Sequence, residues 1–237
     1  MEYFSKKYRR DCLLGALGAL LMLVGDLCLS VIPAEQGDSG LFARAAYIDG
    51  LFGDWRLPLL MITGSLGMAL GFFTVRAFYM MVKPECRVTR MIMLVGGVIY
   101  LTTAGMLHAE IGTLADLTGR LSPLLGREET ISFIQAQYER MRLATLIPYA
   151  GMVLMMIGNA AALLAGKTVL PRRMFVFHIL VWQIVFVLIP DIRQALGMGV
   201  TTCNFIMSQG SGNAALFIWM AANAVYSGRL KTEESKR

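Results

Sequence analysis

The chain has 237 residues, of which 56% are hydrophobic and only 16% charged, with a mean hydropathy of +0.59. An ordinary soluble domain carries about 25% charged residues, so this composition excludes one and fits a chain solvated mostly by lipid. The formal charge of +6 would suggest nucleic acid in a soluble protein, but here the basic residues gather at the ends of apolar runs, as orientation signals do, and no nucleic-acid partner is expected.

A helix needs roughly 20 apolar residues to cross the hydrocarbon core, and six such runs follow in order. The first, Cys12–Pro33, comes after Lys6, Lys7, Arg9 and Arg10. A basic start before an apolar run is also the pattern of a secretory signal. Asp26 and Pro33 suit a cleaved signal badly, so an uncleaved first helix is expected. The second run, Leu57–Val82, opens with Pro58 in the first turn, where a missing N–H costs nothing. The third covers Arg90–Ala115 and the fourth Leu143–Gly166. The fifth is Arg173–Pro190, and the sixth about Phe205–Tyr226. None alternates with period two, so helices are expected rather than barrel strands. The chain is therefore predicted to be all-α, a single domain over 1–237 built as a polytopic bundle of six transmembrane helices (about 12–33, 57–82, 90–115, 143–166, 173–190 and 205–226).

Glycines recur inside these runs. Gly64, Gly67 and Gly71 form one stripe on the second helix, the small-residue spacing that lets helices approach closely in lipid. The four cysteines, Cys12, Cys28, Cys86 and Cys203, form no C-x-x-C pair and are read as buried free thiols. Counting Lys and Arg gives 14 on the side of the termini and seven on the other, with Arg76 inside the second helix completing the 22. The excess predicts cytoplasmic N- and C-termini. The opposite side holds two longer loops. In one of them Ser122-Pro123 signals a helix start, and Ile131, Ile134, Tyr138 and Met141 recur at helical spacing. A short amphipathic helix is expected there, lying over the outer mouth or on the leaflet.

Ionisable residues at membrane depth cost roughly 2.5–3.5 kcal/mol on insertion scales and are candidate functional groups. Asp26 lies roughly 10 Å inside the outer end of its helix at 1.5 Å per residue, with Ser30 one turn outward. His108 falls at a similar depth on the third helix, with Glu110 nearer the surface. Trp55 and Arg56 stand at the outer end of the second helix. Asn204, Ser208, Gln209, Ser211 and Asn213 crowd the outer start of the sixth. Their common depth predicts a polar pocket opening outward, with Asp26 and His108 at its floor and Arg56 and Asn213 as walls. The ligand-pocket candidates are thus Asp26, Ser30, Trp55, Arg56, His108, Glu110 and Asn213.

Asp26 would pair with Arg56 or His108, or take up a proton. Three readings stand side by side: a pocket for a small or lipid-like polar molecule, an enzyme using Asp26 and His108 as a proton-transfer pair, or an accessory subunit whose ion pairs only fix its helices. Membrane lipid is the expected partner. With two histidines at opposite ends, no His-rich metal site is expected, and no spacing motif marks a cofactor. Ser208-Gln-Gly-Ser-Gly-Asn213 lacks the lysine of a Walker loop, which leaves helix packing or ligand contact. His178 is expected to be a satisfied histidine apart from the others.

Several of these residues also form a pattern: Gly25-Asp26, Trp55-Arg56-Leu57, a lone His108, Pro171-Arg172, Pro190, and Gly210-Ser-Gly-Asn213-x-x-x-Phe217. In this the chain resembles a bacterial family of multi-pass membrane proteins known as domain of unknown function 6796. It departs from the pattern at Phe177-His178-Ile179, where a phenylalanine followed by asparagine and proline is expected. The resemblance implies a bacterial cytoplasmic membrane but no reaction and no ligand.

Overall fold

A computed structural model describes residues 2–35, 38, 44–199 and 201–234. It describes the side chains of 2–5, 205, 208 and 229–234 no further. Among the described residues seven α-helices are formed: α1 (Glu2–Ser30), α2 (Ala45–Ile48), α3 (Arg56–Met81), α4 (Arg87–Leu125), α5 (Arg127–Leu164), α6 (Ile179–Ala195) and α7 (Thr202–Glu234), with a 3-10 turn at Arg172–Phe177 before α6. Among the described residues there is no strand. The only β pairing among them is an isolated bridge between Val82 and Thr168, which ties two loops at the end where the chain begins and finishes. Five of the helical segments are long and apolar enough to cross a membrane, so the molecule is a membrane-protein-like helical bundle. The segment carrying α7 is not one of the five. Its run of Asn204, Gln209, Ser211 and Asn213, followed by Asn223 and Ser227, lowers its hydropathy.

α7 nevertheless runs antiparallel along the whole of α1. At one end Thr202 Oγ1 donates to the Ile32 carbonyl (3.1 Å). In the middle Asn213 meets Asp26, and at the other end the Tyr8 hydroxyl donates to Asn223 Oδ1 (3.0 Å). α3 packs on the other flank of α1, α4 on α3, α5 on α4, and α6 on α7. The contacts are close because the helices meet through glycines. A Cβ on Gly67 would stand 2.8 Å from the Gly18 carbonyl oxygen, and one on Gly96 2.7 Å from that of Gly151. The glycine stripe of α3 is thus a packing surface in which Gly67 faces α1 and Gly71 faces Leu101 of α4. The core around these crossings is filled by Met22, Phe78, Met81, Met93, Met155 and Trp219.

Two predicted features are corrected. No separate amphipathic helix lies between the third and fourth long helices. α4 and α5 continue as one long hairpin, broken only at Gly126, whose φ of +85° a side-chain-bearing residue adopts with strain. Ser122-Pro123 closes α4 rather than opening a helix. The periodic residues Ile134, Tyr138 and Met141 do form an apolar face, but it packs on Leu114, Leu117 and Leu121 of α4, not on a lipid surface. Second, Pro190 does not end the fifth run. Residues 173–177 lie in the 3-10 turn, and α6 then runs through Pro190 to Ala195. The four thiols are free, with Cys12 and Cys28 buried and Cys86 and Cys203 half-buried.

An ion pair that sequence reading left unassembled braces α1 against α3. The Asp11 carboxylate is fully buried and receives both Nε and Nη2 of Arg76, while Arg10 Nε stands 3.6 Å away. Removing one partner of a buried pair leaves an uncompensated charge, typically a loss of roughly 3–5 kcal/mol. Because Arg10 remains, Arg76→Ala is expected to cost about 2 kcal/mol in a detergent unfolding titration, and Arg76→Lys is expected to recover part of it.

Candidate functional site

Asp26 stands one turn before the end of α1, and its position depends on how that end is finished. The last carbonyls of a helix have no partner within it. Here two arginines supply the donors. Arg44, fully buried just ahead of α2, donates to the carbonyls of Leu29 (3.2 Å), Ser30 (3.3 Å), Ile32 and Pro33 (3.4 Å). Arg56, at the start of α3, donates to those of Cys28 (2.8 Å) and Val31 (3.0 Å). The Tyr47 hydroxyl adds a bond to Leu29 O (2.6 Å), and burial pushes that phenol above its ordinary titration range, so it stays a donor. From the sequence, Arg56 is expected in the pocket wall, and Arg44 is one of the seven basic residues counted on the side opposite the termini. Both cap α1 instead.

Asp26 itself is 5% exposed. Asn213 Nδ2 donates to its Oδ2 (2.7 Å), and His108 Nε2 stands 3.7 Å from its Oδ1, beyond a direct hydrogen bond. Among the described residues no arginine or lysine lies within 4.0 Å of this carboxyl group. Gly210 of α7 lies against α1 at this level, where a Cβ on it would stand 2.9 Å from Leu23 Cδ1 and 3.9 Å from Asp26 Cβ.

These three side chains border a cavity of about 290 Å³. Five helices line it. α1 gives Asp26 and Leu29, and α4 gives Tyr100, Ala104, Leu107, His108 and Ile111. α5 adds Pro148, Tyr149 and Met152, α6 Gln183, and α7 Gln209, Ser211, Gly212 and Asn213. Gln183 Nε2 donates to Ser211 Oγ (2.8 Å). That leaves Gln183 Oε1, Gln209 Oε1 and Asn213 Oδ1 as buried acceptors without a partner among the described residues. Tyr149 is 51% exposed, and α5 makes only slight contact with α6, so the wall is thinnest between these two helices.

Of the seven residues predicted for the pocket, the structure brings together Asp26, His108 and Asn213. The other four stand apart. Ser30 Oγ donates to the Asp26 carbonyl within α1 (2.8 Å). Trp55 is exposed and lies under the Arg56 guanidinium, Arg56 caps α1, and Glu110 is half-buried outside the cavity lining. No third His, Cys, Asp or Glu joins Asp26 and His108 among the described residues. The segment 208–213 is not a helix N-terminus able to hold an anion, since it forms interior turns of α7.

A model of the family of unknown function DUF6796 matches residues 3–225. The chain belongs to this family. No curated protein and no solved structure matches it. The family match spans α1 to most of α7, and so takes in every helix that lines the cavity.

The lining residues that the sequence did not point to include Tyr100, Tyr149, Met152 and Gln183. Only Gln183 carried a readable signal, as a lone amide inside the apolar run Leu180–Ile189. His178 lies elsewhere. It is fully buried, its Nδ1 accepts from Leu180 N (3.2 Å) to cap α6, and its Nε2 bonds to Asn159 Oδ1 (2.8 Å). An accepting Nδ1 carries no proton, so the ring is neutral and structural.

Proposed function

We propose that this chain is an integral protein of the bacterial cytoplasmic membrane that binds or moves a small or lipid-like polar molecule through the cavity at Asp26. On this reading the chain crosses the membrane six times, α7 included, and forms a single domain. Both termini are cytoplasmic, and Asp26 lies toward the outer leaflet. The antiparallel run of α7 along α1 supports the sixth crossing, and the excess of Lys and Arg beside the termini supports the orientation.

One observation carries the functional reading. A cavity of about 290 Å³ has Asp26, His108 and Asn213 on its wall, in a bundle whose α1–α3 and α4–α5 crossings are close glycine contacts. That volume lies near the lower bound of small-molecule sites, roughly 300 Å³. A purely structural polar network would close on itself, whereas this one leaves three amide oxygens without a partner among the described residues, an arrangement that costs stability.

Native mass spectrometry of the protein released from nanodiscs is expected to find one retained small molecule or lipid per chain. Asp26→Asn and His108→Gln are expected to lower its occupancy while leaving the melting temperature equal to or above that of the native chain, because sites hold their residues at a cost in stability. Loss of about 3 kcal/mol or more in both variants, with nothing retained by the native chain, would make the network structural.

A further inference from the structure

Resting on the pocket reading above, we propose that the group received beside Asp26 is an ammonium, on a ligand small enough for its cationic end to enter the cavity.

The charges around the cavity point this way. Asp26 is buried and has no arginine or lysine partner among the described residues. The two arginines nearest in sequence on that side, Arg44 and Arg56, are engaged with the carbonyls that end α1. Among the described residues no lysine or arginine lines the cavity, so a phosphate or carboxylate inside it would meet Asp26 with only His108, 3.7 Å from that carboxyl group, able to carry a compensating charge. A carboxylate in a low-dielectric site gains most from a cation of its own, and an incoming ammonium supplies one.

The hydrogen-bonding groups agree. Among the described residues, the fully buried side-chain atoms of the lining that lack a partner are three oxygens: Gln183 Oε1, Gln209 Oε1 and Asn213 Oδ1. Asn213 is 7% exposed, and its amide nitrogen is already committed to Asp26. An alkylammonium brings up to three donors and no acceptor, the complement of that set. The rings of Tyr100 and Tyr149 stand in the same wall, and aromatic faces attract desolvated cations. Ala104, Leu107 and Met152 offer apolar surface to the carbons of the ligand.

Two sources carry this chemistry: a free amine, and the ammonium of a zwitterionic phospholipid. The second would enter sideways where α5 and α6 barely touch and Tyr149 is exposed.

The full chain, purified in detergent, is titrated calorimetrically with ethylammonium and tetramethylammonium chlorides, and with tert-butanol and sodium acetate as neutral and anionic probes. Saturable binding of a cation is expected, weakened at least tenfold by Asp26→Asn. Gln183→Met is expected to weaken ethylammonium about threefold, and it reads the same site if Asp26→Asn fails to fold. In nanodiscs, selective retention of phosphatidylethanolamine over phosphatidylglycerol assigns the lipid source, and equal retention with free-amine binding intact assigns the free amine. Cation binding unchanged in both variants overturns the proposal. So does binding of acetate or tert-butanol with the cations inert, although a ligand pocket then stands. A chain that binds no probe and retains no molecule from its membrane overturns the pocket reading as well.

Discussion

Arg44→Ala will destabilise the protein by about 3 kcal/mol, the upper end for losing hydrogen bonds made by a buried charged group. The guanidinium is fully buried and joins four carbonyls at the end of α1 to the start of α2. Truncation removes the charged donor from all four carbonyls; Leu29 keeps the Tyr47 hydroxyl, Ser30 the Ile32 amide and Ile32 the Thr202 hydroxyl, and a space opens under Tyr47, whose ring the guanidinium faces at 5.3 Å. Arg44→Lys is expected to recover less than half, because a point charge cannot serve several carbonyls as a planar fork does. Arg56→Ala is expected to cost about 1 kcal/mol, since its outer nitrogen lies at the surface. Unfolding in a denaturing detergent series reads all three, and equal losses for Arg44→Ala and Arg56→Ala would show that the buried fork has no special weight. Because Asp26 sits one turn before these carbonyls, Arg44→Ala is also expected to reduce ligand retention.

The second large effect separates glycines that look alike in the sequence. Gly64 and Gly67 belong to the same stripe. A Cβ at Gly67 would meet Met22 Cγ at 2.5 Å, Gly18 O at 2.8 Å and Met22 N at 3.0 Å, and two of these are backbone atoms that cannot turn aside. A Cβ at Gly64 would meet only His108, at an ordinary 3.7 Å. Gly67→Ala is therefore expected to cost about 2–3 kcal/mol through overpacking. Gly64→Ala is expected to be neutral or to gain up to about 1 kcal/mol, from the better helix propensity of alanine. Melting curves of the two variants side by side check the opposite signs. If both destabilise alike, the α1–α3 crossing is not set by Gly67.

Much of the bundle was legible because lipid imposes a coarse grammar. Apolar runs of crossing length located the cores of α1, α3, α4 and α5. Boundaries were harder. Ser122-Pro123 is a sound helix start on local grounds, but proline is also tolerated where a helix is about to stop. The contact of Ile134 and Tyr138 with α4 then carried the next helix straight on from Gly126. At the site, Asp26, His108 and Asn213 were legible because a polar side chain in an apolar run has few places to go. Arg56 obeyed the same rule and misled, since a helix end offers carbonyls as attractive to a guanidinium as any carboxylate. Arg44 lay hidden in a stretch that reads as a solvated loop. Tyr100 and Tyr149 were silent because aromatic residues are ordinary in such helices whether or not they face a cavity.

The length of α4 has a practical use. Its 39 residues make a rod about 58 Å long at 1.5 Å per residue, against a hydrocarbon thickness of about 30 Å. On the membrane reading proposed above, with the apolar run 90–115 in the bilayer, the ten residues beyond it carry the tip at Gly126 about 15 Å clear of the hydrocarbon like a mast. An epitope inserted there can be reached by an antibody from one compartment alone, so staining of intact against opened cells would report the sidedness of the whole molecule.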